Sequence, residues 1–208
     1  NVLGTAVPVG ALTRLAHEAG ARVLVDAAQS AGHLPIDVVA DGVDLLAFTG
    51  HKGLLGPQGI GGLWVHESVE LDPLLRGGTG GDSLEPAMPD AYPDRLEAGT
   101  LNGPGVAGLL AGVEWVLERT PEAVHRHEMR LKDRLREGLL AIPGVRVHSP
   151  AAPDGVAVVT ITADSVDAST LARRLDHEHG VLTRPGLHCA PEVHRLLGTD
   201  RAGAVRLS

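Results

Sequence analysis

"LLAFTGHKGLLGPQGIGGLWV", residues 45–65, runs from an apolar stretch through one lysine and a glycine-rich turn into a second apolar stretch. Lys52 is the only lysine among the first 131 residues. "DLLAF" (44–48) and "GGLWV" (61–65) have the short continuous apolar pattern of buried strands. "RVLVD" (22–26) is a third such run, and "GALTRLAHEAG" (10–20) ahead of it reads as an amphipathic helix closed by Gly20. Helix, strand, link and strand together predict an α/β fold with a mainly parallel sheet covered on both faces.

Further along, residues 76–104 are rich in Gly and Pro and read as a long functional loop. Residues 105–120 form an apolar pattern all round, which predicts a well-buried helix. Thr120 and Pro121 have the cap-and-first-turn order of a new helix, which runs as a charged amphipathic segment from Glu122 to Ile142. "VAVVTIT" (156–162) predicts a strand, residues 165–180 a helix ended by Gly180, and "AVRL" (204–207) a last strand. The chain is expected to divide into 1–120, part of a larger domain, and 121–208, a smaller α+β domain.

Composition narrows the function classes. Of 208 residues, 26 are acidic and 18 basic, a formal charge of −8 without a basic run, which disfavours nucleic acid and anionic membrane as partners. No apolar run approaches the ~20 residues that span a bilayer. No signal-peptide pattern opens the chain, and a cytoplasmic location is expected. A single cysteine excludes an internal disulfide framework. The start at Asn1 and the end after "AVRLS" suggest a fragment or a processed chain.

The chemistry gathers at strand ends. "GPQGIGG" lacks the Gly-Lys-Ser/Thr ending of a phosphate loop, and Lys52 precedes the glycines. Asp26 closes one apolar run, with Gln29 three residues on; Thr49, His51 and Lys52 stand just past the next. Ligands of open α/β sheets bind outside the carboxyl ends of the strands. A lysine that can bond an aldehyde and an acid that can hold a pyridinium nitrogen are what pyridoxal phosphate requires. Taken singly, Lys52 could be a solvated surface lysine and Asp26 a helix cap.

"VDAAQSAGHLPIDV" (25–38) and "GVDLLAFTGHKGLLGPQGIGGLWV" (42–65) resemble the class V aminotransferase family of fold-type I pyridoxal-phosphate enzymes, in particular the cysteine desulfurase and selenocysteine lyase group. The resemblance implies that Lys52 carries the Schiff base, Asp26 pairs the ring nitrogen and Gln29 contacts the phenolic oxygen. It implies phosphate contacts for Thr49 and His51. "RLEAGTLN" (95–102) is similar to the family segment whose threonine reaches the neighbouring subunit's cofactor, a role that falls on Thr100 in a homodimer. Asn1 matches an asparagine beside the ring and substrate. The chain resembles about the C-terminal half of a family subunit, so residues 1–120 correspond to part of the cofactor domain.

The only thiol lies in "TRPGLHCAPEVHRLLGT" (183–199). A lone cysteine is most often a small buried hydrophobe. Arg184, His188 and His194 near Cys189, in a segment bounded by Pro and Gly, instead suggest positive neighbours that favour the thiolate. The segment resembles the desulfurase active-site loop, which implies Cys189 as nucleophile, with His188 beside it. Leu187 stands where some desulfurases have a second histidine. Arg184 and Arg206 are candidates to bind substrate, Arg206 matching the family's α-carboxylate arginine. No metal is expected: His177 and His179 are two apart on a helix, and C-x-x-C and H-E-x-x-H are absent. The resemblance implies release of sulfur from cysteine or selenium from selenocysteine, with a sulfur-acceptor protein as partner. Transamination, epimerisation or a non-catalytic fragment remain as alternatives.

Overall fold

The computed structural model describes residues 1–80, 87–151, 153 and 155–208. The chain forms two bodies, one of Val9–Ala28 and Asp37–Trp115, the other of Asn1–Pro8, Gln29–Ile36 and Val116–Ser208.

The first body holds α1 (Val9–Glu18) and the strands β1 (Leu24–Asp26), β2 (Leu45–Thr49) and β3 (Gly61–Val65), in sheet order β1-β2-β3. β1 runs parallel to β2, with Asp26 opposite Ala47. β3 returns antiparallel, with Gly61 opposite Thr49. The apolar runs bury Val43, Leu45 and Leu46 as their pattern requires. Coverage on both faces is not met at the two outer strands, where Leu24 and Leu63 are exposed; each of these strands has one hydrogen-bonded neighbour. Asp44 ties α1 to the strand starts: Oδ2 accepts from His17 Nε2 at 2.8 Å and from Val23 N at 2.7 Å. The His17 hydrogen bond and then the Val23 amide hold this carboxyl below its ordinary value.

α2 (Gly103–Arg119) starts in this body. A Cβ on Gly112 would lie 2.1 Å from the Leu54 carbonyl oxygen, so only glycine lets the helix pass the turn that follows Lys52. The expected deep burial of this helix is corrected. Gly105, Gly112 and Val116 are buried along one stripe, while Val106, Leu110, Trp115 and Leu117 are exposed. Apolar character all round records what a helix could bury; burial needs packing on each face, and Val106, Leu110 and Leu117 stay exposed. Of the expected loop over 76–104, residues 81–86 lie outside the described residues. The rest holds a short 3-10 turn, Asp94–Leu96, around Arg95, whose Nε donates to Leu71 O at 2.9 Å.

In the second body, α3 (Pro121–Leu140), α4 (Ala168–His179) and α5 (Pro191–Leu197) accompany an antiparallel sheet in order β4-β5-β7-β6. Its strands are β4 (Val145–Val147), β5 (Val159–Ala163), β6 (Arg184–Gly186) and β7 (Ala204–Leu207). Val159, Ile161, Ala168, Ala172 and Val205 make the core, with Leu139, Leu171 and Leu175 packed against it. Thr120 caps α3 by accepting from Ala123 N, as its position before Pro121 predicts. Asp167 caps α4 and Gly180 (φ +65°) closes it, which trims the expected 165–180 helix at its start. The segment around Cys189 is not a plain loop. β6 and α5 flank it, both too short and too interrupted by Pro to show periodicity. Pro185 is tolerated because β6 is an edge strand. Among the described residues no helix is long and apolar enough to cross a membrane.

Candidate active site

Because β1 and β2 are parallel, Asp26 and Thr49 leave the same edge of the sheet, at the carboxyl ends of their strands. Asp26 Oδ1 accepts from Ala28 N at 2.9 Å, which fixes the carboxylate. His51 and Lys52 follow in a tight turn closed by Leu55 N to Lys52 O at 2.9 Å and Gly56 N to Gly50 O at 2.8 Å. The glycines serve this turn and its packing on α2. Thr49 Oγ1 and His51 Nδ1 are 2.8 Å apart and share one proton. Whichever atom donates, an O–H or an Nε2–H donor stays free for a ligand. Among the described residues nothing bonds the Lys52 amine. An unpaired amine, a fixed carboxylate and a free donor on one edge suit an aldehyde-bearing, anionic aromatic cofactor such as pyridoxal phosphate.

Thr100 is exposed, after Gly99 (φ +92°), and no hydrogen bond ties it to the Lys52 turn among the described residues. Gln29 belongs to the second body. So does Asn1, whose side chain shapes its own turn: Oδ1 accepts from Gly4 N and Nδ2 donates to Thr5 O, each at 2.8 Å.

The second body assembles the thiol site. Arg184 in β6 pairs directly with Arg206 in β7. Arg184 Nη2 donates to Cys189 Sγ at 3.1 Å. Arg206 Nη1 donates to Asn1 O at 3.1 Å, while its Nε is buried without a partner. Burial, and then the Arg184 charge, lower the Arg206 pKa. Two guanidiniums on neighbouring strands, one with an unused buried N–H, have the donors that would suit an anion such as a carboxylate. Cys189 is exposed, and both it (φ +60°) and His188 (φ +53°) adopt left-handed backbone. The expectation of several positive neighbours is corrected here. His188 and His194 are buried, and burial lowers both pKa values, so the positive charge near the thiol comes from the guanidiniums of Arg184 and Arg206 and not from the histidines. Both ring nitrogens of His188 are engaged, Nε2 with Arg184 O at 2.9 Å and Nδ1 with His194 Nε2 at 3.1 Å. Sequence reasoning missed Thr199, whose Oγ1 lies 2.8 Å from His194 Nδ1. The two residues flank the helix-ending Gly198, the one local hint that they meet. Among the described residues no three His, Cys, Asp or Glu side chains converge as metal ligands.

The model of the aminotransferase class-V family matches residues 1–208. A probable cysteine desulfurase of Methanothermobacter thermautotrophicus is 37% identical over 214 residues, covering 100% of this chain and 53% of its own. The apo structure of cysteine desulfurase from Thermococcus onnurineus NA1 matches with a TM-score of 0.90 at 38% identity, covering 100% of this chain and 52% of that one. A lysine-to-alanine mutant of C-DES, with glycine covalently linked to its PLP cofactor, matches with a TM-score of 0.80 at 27% identity, covering 99% and 52%. The expected α/β fold of these enzymes is met. The chain spans about half the length of the relatives it matches.

Proposed function

This chain belongs to the aminotransferase class-V family, and from that premise we propose that its protein is a cysteine desulfurase using pyridoxal 5'-phosphate. It takes sulfur from free L-cysteine, leaving alanine and a persulfide on Cys189. One observation carries the reading: an exposed thiol held 3.1 Å from Arg184, whose cross-strand neighbour Arg206 keeps a buried N–H unused. A plain aminotransferase needs a carboxylate arginine but no thiol beside it.

Pyridoxal phosphate, when bound, draws electrons from the substrate's α-carbon. Lys52 would hold it and Lys52 Nζ would move the α-proton. Asp26 would keep the ring nitrogen protonated, and Gln29 would contact the phenolic oxygen. Thr49 and His51 would donate to the phosphate, with Asn1 beside the ring. Arg206, with Arg184 beside it, would clamp the substrate carboxylate. The Cys189 sulfur attacks the substrate sulfur. The substrate C–S bond breaks, the S–S bond forms, the thiol proton is released, and a proton returns to the carbon as alanine. In this reading residues 1–120 carry the cofactor and 121–208 the thiol. Thr100 would serve the partner's cofactor in a cytoplasmic homodimer that passes sulfur to an acceptor protein. The charge of −8 supports such partners over nucleic acid or membrane.

The test is Cys189→Ala in the cofactor-loaded protein. Cofactor absorbance should persist while sulfide release from cysteine is lost. Sulfide release at the parental rate overturns the mechanism. Selenide release from selenocysteine that survives alone would mark a selenocysteine lyase.

A further inference from the structure

Two consecutive residues other than glycine, His188 and Cys189, hold left-handed backbone. L-residues resist this conformation, so the surroundings must impose it. What imposes it is a line of side chains behind the thiol. The Arg184 carbonyl can only accept, so His188 Nε2 carries the proton in the 2.9 Å contact between them. His188 Nδ1 is then bare and accepts from His194 Nε2–H at 3.1 Å. His194 Nδ1 is bare in turn and accepts from Thr199 O–H at 2.8 Å. One backbone carbonyl thus sets every proton in the line. His194 is 0% exposed and His188 5%, with ring centroids 5.0 Å apart. The line begins at a carbonyl and ends at a buried hydroxyl, so it braces the loop and does not carry protons to solvent.

We infer that His194 is a positioning residue for the thiol: through the His188 ring it ties the 188–189 backbone to Arg184 and so holds Cys189 Sγ against the guanidinium. Thr199 completes the brace by fixing the His194 tautomer. His188, expected from the sequence to be catalytic, acts in the same way, since neither of its ring nitrogens is free for substrate. This inference rests on reading Cys189 as the sulfur-accepting nucleophile, but its test needs neither cofactor nor substrate.

The test is coupling between two substitutions, read as the iodoacetamide alkylation rate of the Cys189 peptide by mass spectrometry in the whole protein. Arg184→Gln should change that rate about tenfold in the parent protein and by less than about twofold in a His194→Leu background, because the contact is already lost there. His194→Gln offers an amide N–H near the position of Nε2 and should restore much of the Arg184 effect. Thr199→Val is the milder variant should His194→Leu fail to fold, and it should weaken the same coupling. Imidazole nitrogen shifts should report Nε2–H tautomers at both histidines. Additive effects of Arg184→Gln and both brace variants, or an Nδ1–H tautomer at His188, overturn the brace. The two readings fail separately. Coupling with sulfide release surviving Cys189→Ala keeps the brace and removes the desulfurase assignment; additivity with release abolished does the reverse.

Discussion

Arg184 and Arg206 stand directly opposite each other across the antiparallel β6–β7 pair, a like-charge cross-strand pair beside the only thiol of the chain. Like charges in that register destabilise a sheet. The arrangement is understandable as a site kept ready for an anion, and stability and binding should therefore respond in opposite directions. Arg184→Gln should raise thermal stability slightly, by about 0.5 kcal/mol. Arg206→Lys loses the guanidinium fork and should raise KM for the amino acid about 10- to 100-fold. Unchanged KM in Arg206→Lys would remove it from the carboxylate site.

Lys52 is one of two lysines in the chain, and its rival Lys132 is buried in α3 at 2% exposure. Borohydride reduction of protein loaded with pyridoxal phosphate should therefore fix the pyridoxyl group on Lys52. Lys52→Ala should abolish the label on this chain. Peptide mapping that finds the label on Lys132 would refute the assignment.

Gly112→Ala should be costly for a residue so far along the chain from the lysine. Its Cβ would meet the Leu54 carbonyl at 2.1 Å, and one of the two backbones must move. A loss of about 1–3 kcal/mol is expected from overpacking, with weaker cofactor affinity because Leu54 belongs to the Lys52 turn. Gly138→Ala, where a Cβ would meet nothing within 4 Å, is the control and should be neutral or stabilising. Equal effects of the two substitutions in thermal melts would refute the packing argument.

Acid should loosen the two bodies in order. Burial lowers the pKa values of His148, His188 and His194, so in acid the unfolded chain binds protons that the folded one refuses. Stability from these groups is complete above pH 6.5 and falls as pH drops below it. Asp44 has the same sign in a lower window: its depressed carboxyl supports the first body above pH 3.8 and is lost below that value. Hydrogen exchange between pH 7 and 5, about the His window, should show amides of β6 and β7 opening while those of β1 and β2 stay protected. Simultaneous opening of both sets would contradict the assignment.

The elements with long or uninterrupted apolar patterns were legible from the chain alone. So were the ends marked by Thr120–Pro121 and by Gly180, because capping is a local matter of which backbone donors and acceptors lack partners. The gathering of Asp26, Thr49, His51 and Lys52 on one edge followed from two apolar runs being strands and from strands ending where polar residues begin. The short elements were not legible. A three-residue strand with Pro185 inside has no periodicity of its own and exists only because β7 offers it a ladder.

What the sequence determined by itself is the set of groups: one thiol, one lysine in its first 131 residues, the arginines and the apolar segments that carry them. What the tertiary structure decided is their state. The register of β6 on β7 set Arg184 against Arg206, and burial took the protons' charge from His188 and His194 and turned them from expected cations into a neutral brace. Register and desolvation depend on which distant residues come to surround a group, and no local pattern carries that information.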